Sequence, residues 1–102
     1  MAYSTKAQVK EVLQISEATW DTEIEACITD ADARINNKLS PHESTLPLSP
    51  VPEMITIASK YIAAALYRER RDPTGDVKVF WDTGTAYLNE YIEAKYFGGS
   101  IQ

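Results

Sequence analysis

Few residues of this chain could do acid–base chemistry, and the foremost is its only histidine, His42. A histidine that acts as a general base needs a nucleophile and an orienting group within hydrogen-bond reach. Glu43 and Ser44 adjoin it in the sequence, but consecutive residues rarely converge on one point of a site. We therefore interpret His42 as a surface residue of the loop after Pro41, and we predict no catalytic residue and no enzymatic activity.

The cysteine and the acidic residues form no recognisable metal or cofactor site. Cys27 is the only cysteine, so no disulfide can form within the chain, which fits folding in a reducing cytosol. It falls on an apolar helix stripe, where a small core residue is expected rather than a reactive thiol. Asp30 and Asp32 would point about 200° apart on a helix, and no calcium-loop spacing occurs. Because Gly98-Gly99 precedes no helix that could hold a phosphate, we predict neither a metal nor a cofactor.

Three arginines, Arg68, Arg70 and Arg71, form the only basic cluster. At the end of a helix such cations are favoured by the helix dipole. They could also contact a neighbouring subunit or partner, for which the acidic flanks of the second helix are suitable. The residues nominated for this subunit interface are Tyr67, Arg68, Arg70, Arg71, Glu23 and Glu25. A nucleic-acid patch is the least favoured interpretation, because 15 acidic against 10 basic residues give a net charge of −5, which repels phosphate.

The elements that must position these residues are all helical. At 102 residues, 44% of them apolar, the chain suffices for one folded domain. Its periodicity predicts an all-α fold, a small bundle of about four helices (one short, three long) with a proline-rich loop between the second and third. The longest uncharged apolar run, residues 61–67, is too short to span a bilayer, and the N-terminus has no apolar signal core. We expect a helical domain over residues 1–97 and a short flexible tail over residues 98–102.

The first two predicted helices are amphipathic. The first covers about residues 5 to 14; Ser4 or Thr5 can cap it, and Thr5 with Gln8 has capping-box spacing. The second covers about residues 20 to 39, with Thr19 as the expected N-cap. Its apolar stripe consists of Trp20, Ile24, Cys27, Ile28, Ala31, Ile35 and Leu39. Acidic residues line both flanks of that stripe: Asp21, Glu25 and Asp32 on one, Glu23 and Asp30 on the other.

A proline-rich segment separates the second helix from the third. Pro47, Pro50 and Pro52 fall within six residues, and each fixes φ and disfavours helix in the residue before it. The connection over residues 40–51 is therefore expected to be stiff and to lie along the surface. Pro52 stands where a helix can begin, because the first helical turn does not use its missing N–H.

The third helix, about residues 52 to 71, is apolar on one half and small or weakly polar on the other. The weakly polar half comprises Thr56, Ser59, Ala63, Ala64 and Tyr67. A helix with so little charge is usually surrounded, so we expect it to be central, with a neighbouring subunit as one candidate for covering its back. The fourth helix, about residues 76 to 97, has a broad aromatic face. Gly84 lies in that face, where its expected use is to let another helix approach closely.

The order of these features resembles a known family. The segments that carry the resemblance are YSTKAQ at residues 3–8, ITDADARIN at 28–36, LPLSPVP at 46–52 and AALYRERR at 64–71. Together they are similar to the head–tail connector (adaptor) proteins of tailed bacteriophages, including the small Mu-like phage protein family that shares this proline-rich junction. The resemblance covers nearly the whole chain, and its most specific part is the proline run that leads into a helix with an arginine-rich end.

The resemblance implies a structural protein of the virion, located at the head–tail interface and made in the host bacterial cytoplasm. Such subunits form a ring, commonly of about twelve copies, that docks beneath the portal protein, extends the DNA channel and offers a platform to a stopper or tail-completion protein. DNA would be only a transient neighbour, and no membrane is involved. The C-terminal segment of such connectors can order against the portal. Here that segment corresponds to Tyr96, Phe97, Gly98, Gly99, Ser100, Ile101 and Gln102.

Two other classes of function stay open. The arginine cluster would suit a small cytosolic helical module that regulates or binds nucleic acid, with salt-dependent DNA binding that weakens when Arg70 and Arg71 become alanine. The acidic balance of the chain argues against it. For an enzymatic function, the only candidate residues are His42 and scattered carboxylates.

Overall fold

The computed structural model describes residues 2–15, 20–71 and 75–97. These contain four α-helices, α1 (Lys6–Leu13), α2 (Asp21–Leu39), α3 (Glu53–Arg71) and α4 (Gly75–Ile92), followed by a π-helical turn over Glu93–Phe97. No strand occurs in the described ranges. The predicted all-α bundle of one short and three long helices is confirmed.

Local sequence determines where α1 begins. The Gln8 N–H donates to Thr5 Oγ1 at 3.2 Å, and the Thr5 N–H donates to Gln8 Oε1 at 2.9 Å. This reciprocal pair is the predicted capping box, which satisfies two N–H groups that the first turn leaves without a helical partner. Helix α2 begins one residue later than expected, with Trp20 at its N-cap and no side-chain hydrogen bond there. Thr19, the expected cap, lies outside the described residues.

Helix α3 occupies the centre of the bundle, as predicted. It packs against α1, α2 and α4, and nine of its residues are buried: Ile55, Ala58, Ser59, Ile62, Ala63, Ala64, Ala65, Leu66 and Tyr67. One expectation needs correction. The weakly polar back of α3 is covered by the chain's own helices, since Ser59, Ala63 and Ala64 are fully buried and Tyr67 is 5% exposed. No neighbouring subunit is required to cover it.

Helices α3 and α4 approach each other closely at Gly84. A Cβ atom placed on Gly84 would lie 2.7 Å from Ile62 Cγ1 and 3.1 Å from both the Ala58 carbonyl oxygen and the Ile62 nitrogen. Backbone and side chain of α3 therefore occupy the space that any larger residue would need. The predicted use of this glycine is confirmed.

The end of the chain departs from the predicted continuous helix. Helix α4 ends at Ile92, and Glu93–Phe97 forms a π-helical turn in which no residue is buried. A π-helical turn is wider than an α-helical one and is used rarely, mostly in single turns. The predicted glycine stop and the tail over residues 98–102 lie outside the described residues.

The connection between α2 and α3 lies mostly in solvent but has one buried side chain. Leu48 is 7% exposed and belongs to the hydrophobic core. The peptide bonds before Pro47 and Pro50 are cis. The chain thus leaves α2 at Ser40, inserts Leu48 into the bundle and enters α3 after Pro52.

Replacement of Gly84 tests the close helix contact. Alanine favours helix over glycine by about 1 kcal/mol, so an exposed glycine would gain stability from the change. At Gly84 the added methyl group overpacks the interface with Ile62, and we expect Gly84→Ala to lower the free energy of unfolding by about 1–3 kcal/mol. Ala86→Gly, at an exposed position of α4, is the control that measures the effect of helix propensity alone. A Gly84→Ala protein that gained stability in denaturant unfolding would contradict the contact.

Core truncations test the assigned helix faces. Ile28 and Ile62 are 4% and 3% exposed, so Ile28→Ala and Ile62→Ala should each cost roughly 2–5 kcal/mol in denaturant unfolding. Val79 is 57% exposed, and Val79→Ala should change stability by less than about 0.5 kcal/mol. A cost below about 1 kcal/mol for either isoleucine would be incompatible with its burial.

Candidate functional site

The arginines at the end of α3 meet the acidic flank of α2 within the same chain. Arg71 Nε donates to Glu23 Oε1 at 2.7 Å, and its guanidinium carbon lies 3.6 Å from the centre of the Trp20 ring. Arg70 Nη2 lies 3.6 Å from Asp30 Oδ2. Because α2 and α3 run antiparallel, the basic end of one helix faces the acidic beginning of the other, which suits both helix dipoles.

The nominated subunit-interface residues therefore already have partners inside the subunit. Beyond the Arg71–Glu23 pair, Arg68 Nη2 donates to the Leu13 carbonyl oxygen at 3.3 Å, and Lys6 Nζ lies 3.3 Å from Glu25 Oε2. The acidic partners expected across a subunit boundary are supplied by the chain itself. An interface with another subunit stays a prediction, and among the nominated acids Glu25, whose side chain is 59% exposed, offers the most surface to it.

Arg70 and Arg71 of the basic cluster are engaged in ion pairs with acidic residues of α2. Arg34 Nε lies 3.2 Å from Asp30 Oδ1, so Asp30 faces both Arg34 and Arg70. Nucleic-acid binding by such a group would require breaking ion pairs to release the cations, in a protein whose net charge is −5. The geometry disfavours the nucleic-acid alternative.

A buried polar network, centred on Asp32, ties the N-terminal segment to the bundle. Asp32 Oδ2 accepts from the Tyr3 N–H at 2.8 Å, and Oδ1 accepts from the Ser59 hydroxyl at 2.8 Å. The hydroxyls of Ser4 and Ser59 are 2.7 Å apart, and both serines are buried. Burial raises the pKa of the Asp32 carboxyl, and the hydrogen bonds from Tyr3 and Ser59 offset part of that rise.

Tyr3 extends this network to the proline-rich connection. Its hydroxyl donates to Asn36 Oδ1 at 2.5 Å and accepts from the Leu48 N–H at 2.8 Å. The ring is 3% exposed, and burial raises the pKa of the phenol. One tyrosine thus holds the N-terminal segment, α2 and the proline-rich connection together. Sequence reasoning placed Asp32 on the flank of α2 but missed its partners, because they lie 27 and 29 residues away along the chain.

The C-terminal turn contacts the loop that follows α2. Glu43 Oε2 accepts from the Tyr96 hydroxyl at 2.8 Å and lies 3.1 Å from Lys95 Nζ. The exposed His42 ring stacks on Tyr96 with centroids 4.7 Å apart, and Phe97 meets His42 edge-on at 5.3 Å. The hydrogen bond from Tyr96, with the Lys95 ammonium, lowers the pKa of Glu43. Burial and the same hydrogen bond raise the pKa of Tyr96.

These contacts define the C-terminal clasp: His42 and Glu43 on one side, Lys95, Tyr96 and Phe97 on the other. Of the residues assigned to portal contact, Tyr96 is half-buried in the clasp and Phe97 is 48% exposed. The others, at positions 98–102, lie outside the described residues. A groove of about 380 Å³ runs beside the clasp between the proline-rich connection and the end of α4, lined in part by Pro47, Pro50 and Tyr91.

Other chemistry finds little support in the described part of the chain. There, no three histidine, cysteine or acidic residues group as a metal site would require. None of the described helices is long and apolar enough to cross a membrane. Cys27 is fully buried, as predicted, and burial raises the pKa of its thiol despite Arg70 Nη1 at 3.5 Å from the sulfur. A buried thiol of that kind suits packing rather than reaction.

Comparison with known families identifies the chain. A family model described as "Bacteriophage Mu, Gp36" matches residues 3–96. The chain belongs to this phage protein family. The match spans all four helices of the Gp36-family chain and reaches Tyr96 in the clasp, so the resemblance to a phage protein family is confirmed. Comparison with curated proteins and with solved structures finds no significant match.

The pH dependence of stability tests the half-buried carboxylate of Asp32. An unfolded Asp titrates near pH ~3.9, and the pKa of Asp32 is raised in the folded protein. The folded state therefore binds this proton more tightly, and Asp32 disfavours folding increasingly as pH rises from about 4 to its folded pKa. Relative to Asp32→Asn, the wild-type free energy of unfolding should fall across that window and level off above it. Glu11→Gln, at an exposed position of α1, is the control for loss of a surface carboxylate. A constant difference between wild type and Asp32→Asn would contradict the assignment.

Proposed function

We propose that this Gp36-family chain is a structural subunit of the phage head–tail connector, an adaptor that forms a ring beneath the portal and extends the DNA channel. The observation that carries the proposal is the family match over residues 3–96. It agrees with the resemblance in the proline-rich junction and the arginine-rich end of α3. In this proposal the subunit lies at the head–tail interface of the virion.

The packing of the subunit is compatible with ring assembly. Helix α3 is buried by α1, α2 and α4, so the core is complete before any neighbour arrives. The subunit measures 46 × 28 × 18 Å, an elongated shape that can be placed side by side around a channel. Closed rings use heterologous contacts, in which two different surfaces of each subunit meet. Those surfaces must come from the outer faces of the helices, since the back of α3 is covered.

The charge of the subunit suits a channel through which DNA must slide. A net charge of −5 weakens adhesion to the phosphate backbone. The arginines that could have bound phosphate are paired with Glu23 and Asp30. Contact with DNA would then be transient and nonspecific, as an adaptor requires.

The C-terminal end of the chain supplies the proposed contact with the portal protein. The turn with Tyr96 and Phe97 and the following residues 98–102 would meet the portal protein, because exposed aromatic side chains make effective anchors at interfaces. The opposite side of the ring would serve as the platform for a stopper or tail-completion protein.

The mass of the chain mixed with its phage portal protein tests the proposal, measured by native mass spectrometry. We expect about a dozen copies per portal. Deletion of residues 98–102 should leave the helical circular dichroism unchanged, because they follow the last described turn, and should weaken portal binding at least severalfold. A chain that stays monomeric beside an assembly-competent portal would overturn the adaptor role. Salt-dependent binding to DNA in the same assay, lost in the Arg70→Ala/Arg71→Ala variant, would support the nucleic-acid alternative instead.

A further inference from the structure

The C-terminal clasp has the features of a contact that can open without disturbing the fold. Helix α4 ends at Ile92, and the five residues of the π-helical turn that follows include none that is buried. Only Tyr96 of this turn packs against the hydrophobic core, where its ring meets Tyr91 edge-on at 6.3 Å, so the turn can move away with the buried core residues left in place. The change from α to π geometry also gives a defined position, between Ile92 and Glu93, at which the turn can separate from α4.

Polar and ring contacts hold the turn, chiefly with the segment at His42 and Glu43 and also with Tyr91 of α4. Glu43 accepts the Tyr96 hydroxyl at 2.8 Å and pairs with Lys95 at 3.1 Å. His42 stacks on Tyr96. The Glu43 side chain is 22% exposed and that of Lys95 is 46% exposed, so water and salt compete directly with the ion pair. A closed state held in this way is favoured over the open one only modestly.

Closure also covers the surface that the proposed function needs. While the clasp is shut, one face of the Tyr96 ring lies against His42 and its hydroxyl is bonded to Glu43. A partner that takes up this ring must first remove it from the clasp. The apparent affinity for the partner is then the affinity of the open state multiplied by the fraction of subunits that are open.

We propose that the C-terminal clasp is an autoinhibitory latch: Glu43 and His42 hold the Tyr96–Phe97 turn shut in the free subunit, and docking on the portal opens it. The inference rests on the proposed function for its partner, but the latch itself is a property of the free chain. It keeps an aromatic anchor from binding elsewhere until a partner with greater affinity for the open turn is present.

A graded pair of variants at Glu43 tests the latch. Glu43→Gln keeps an acceptor for the Tyr96 hydroxyl and loses the ion pair with Lys95, whereas Glu43→Ala loses both contacts. Hydrogen exchange of the amides of residues 93–97 should quicken in the order wild type, Glu43→Gln, Glu43→Ala. The control is Asp82→Ala, which removes a more exposed ion pair with Lys78 within α4 and should leave that exchange unchanged. Equal exchange in wild type and Glu43→Ala would overturn the latch.

Portal binding then tests whether the latch inhibits. Removal of the Glu43 contacts should tighten binding by about 5- to 10-fold, with Glu43→Gln intermediate. The gain should disappear when Tyr96→Ala is added to Glu43→Ala, because the ring that the clasp covers and releases is then missing. Faster exchange with weaker portal binding would overturn the inhibitory role and leave the adaptor function standing. If wild type and all variants fail to bind the portal, the proposed function fails, and the exchange series alone decides whether the clasp holds the turn.

Discussion

Helix α3 has almost no charged surface between its two ends, and this constrains the whole bundle. Between Glu53 and Arg68 its only charged residue is Lys60. A helix of this composition is stable in water only when its circumference is covered. The chain has three further helices to do so, and they lie on different sides of it. Three consecutive alanines, at positions 63–65, are fully buried, and their small side chains let those neighbours approach closely.

The same arrangement explains where the polar residues meet. Helix α2 covers α3 in the antiparallel sense, which brings the arginine-rich end of α3 to the acidic beginning of α2. It also brings Ser59 of α3 beneath Asp32 of α2. A half-buried carboxylate needs hydrogen-bond donors, and the N-terminal segment supplies one from the backbone of Tyr3. Tyr3 and Ser4, just before α1, are therefore buried as part of the bundle.

Features governed by neighbouring residues could be predicted from the sequence, and those governed by distant partners could not. The Thr5–Gln8 capping box, the burial of Cys27 and the central place of α3 follow from local spacing and composition, and each is confirmed. The roles of Tyr3 and Asp32 require contacts across 27 to 45 residues, for which a single sequence carries no signal. The arginines were correctly matched with the acids of α2, but sequence alone could not show that the two belong to one subunit.

This distribution of interactions bears on how an adaptor could work. The strongest constraints, the buried core and the Tyr3–Asp32 network, lie within one chain. The contacts that can be exchanged at little cost, ion pairs and a stacked ring near solvent, lie at its C-terminal end. In the proposed adaptor, assembly could rearrange this terminal turn while the bundle stays unchanged. The clasp at Glu43 lies at that boundary, outside the core and beside the residues assigned to the partner.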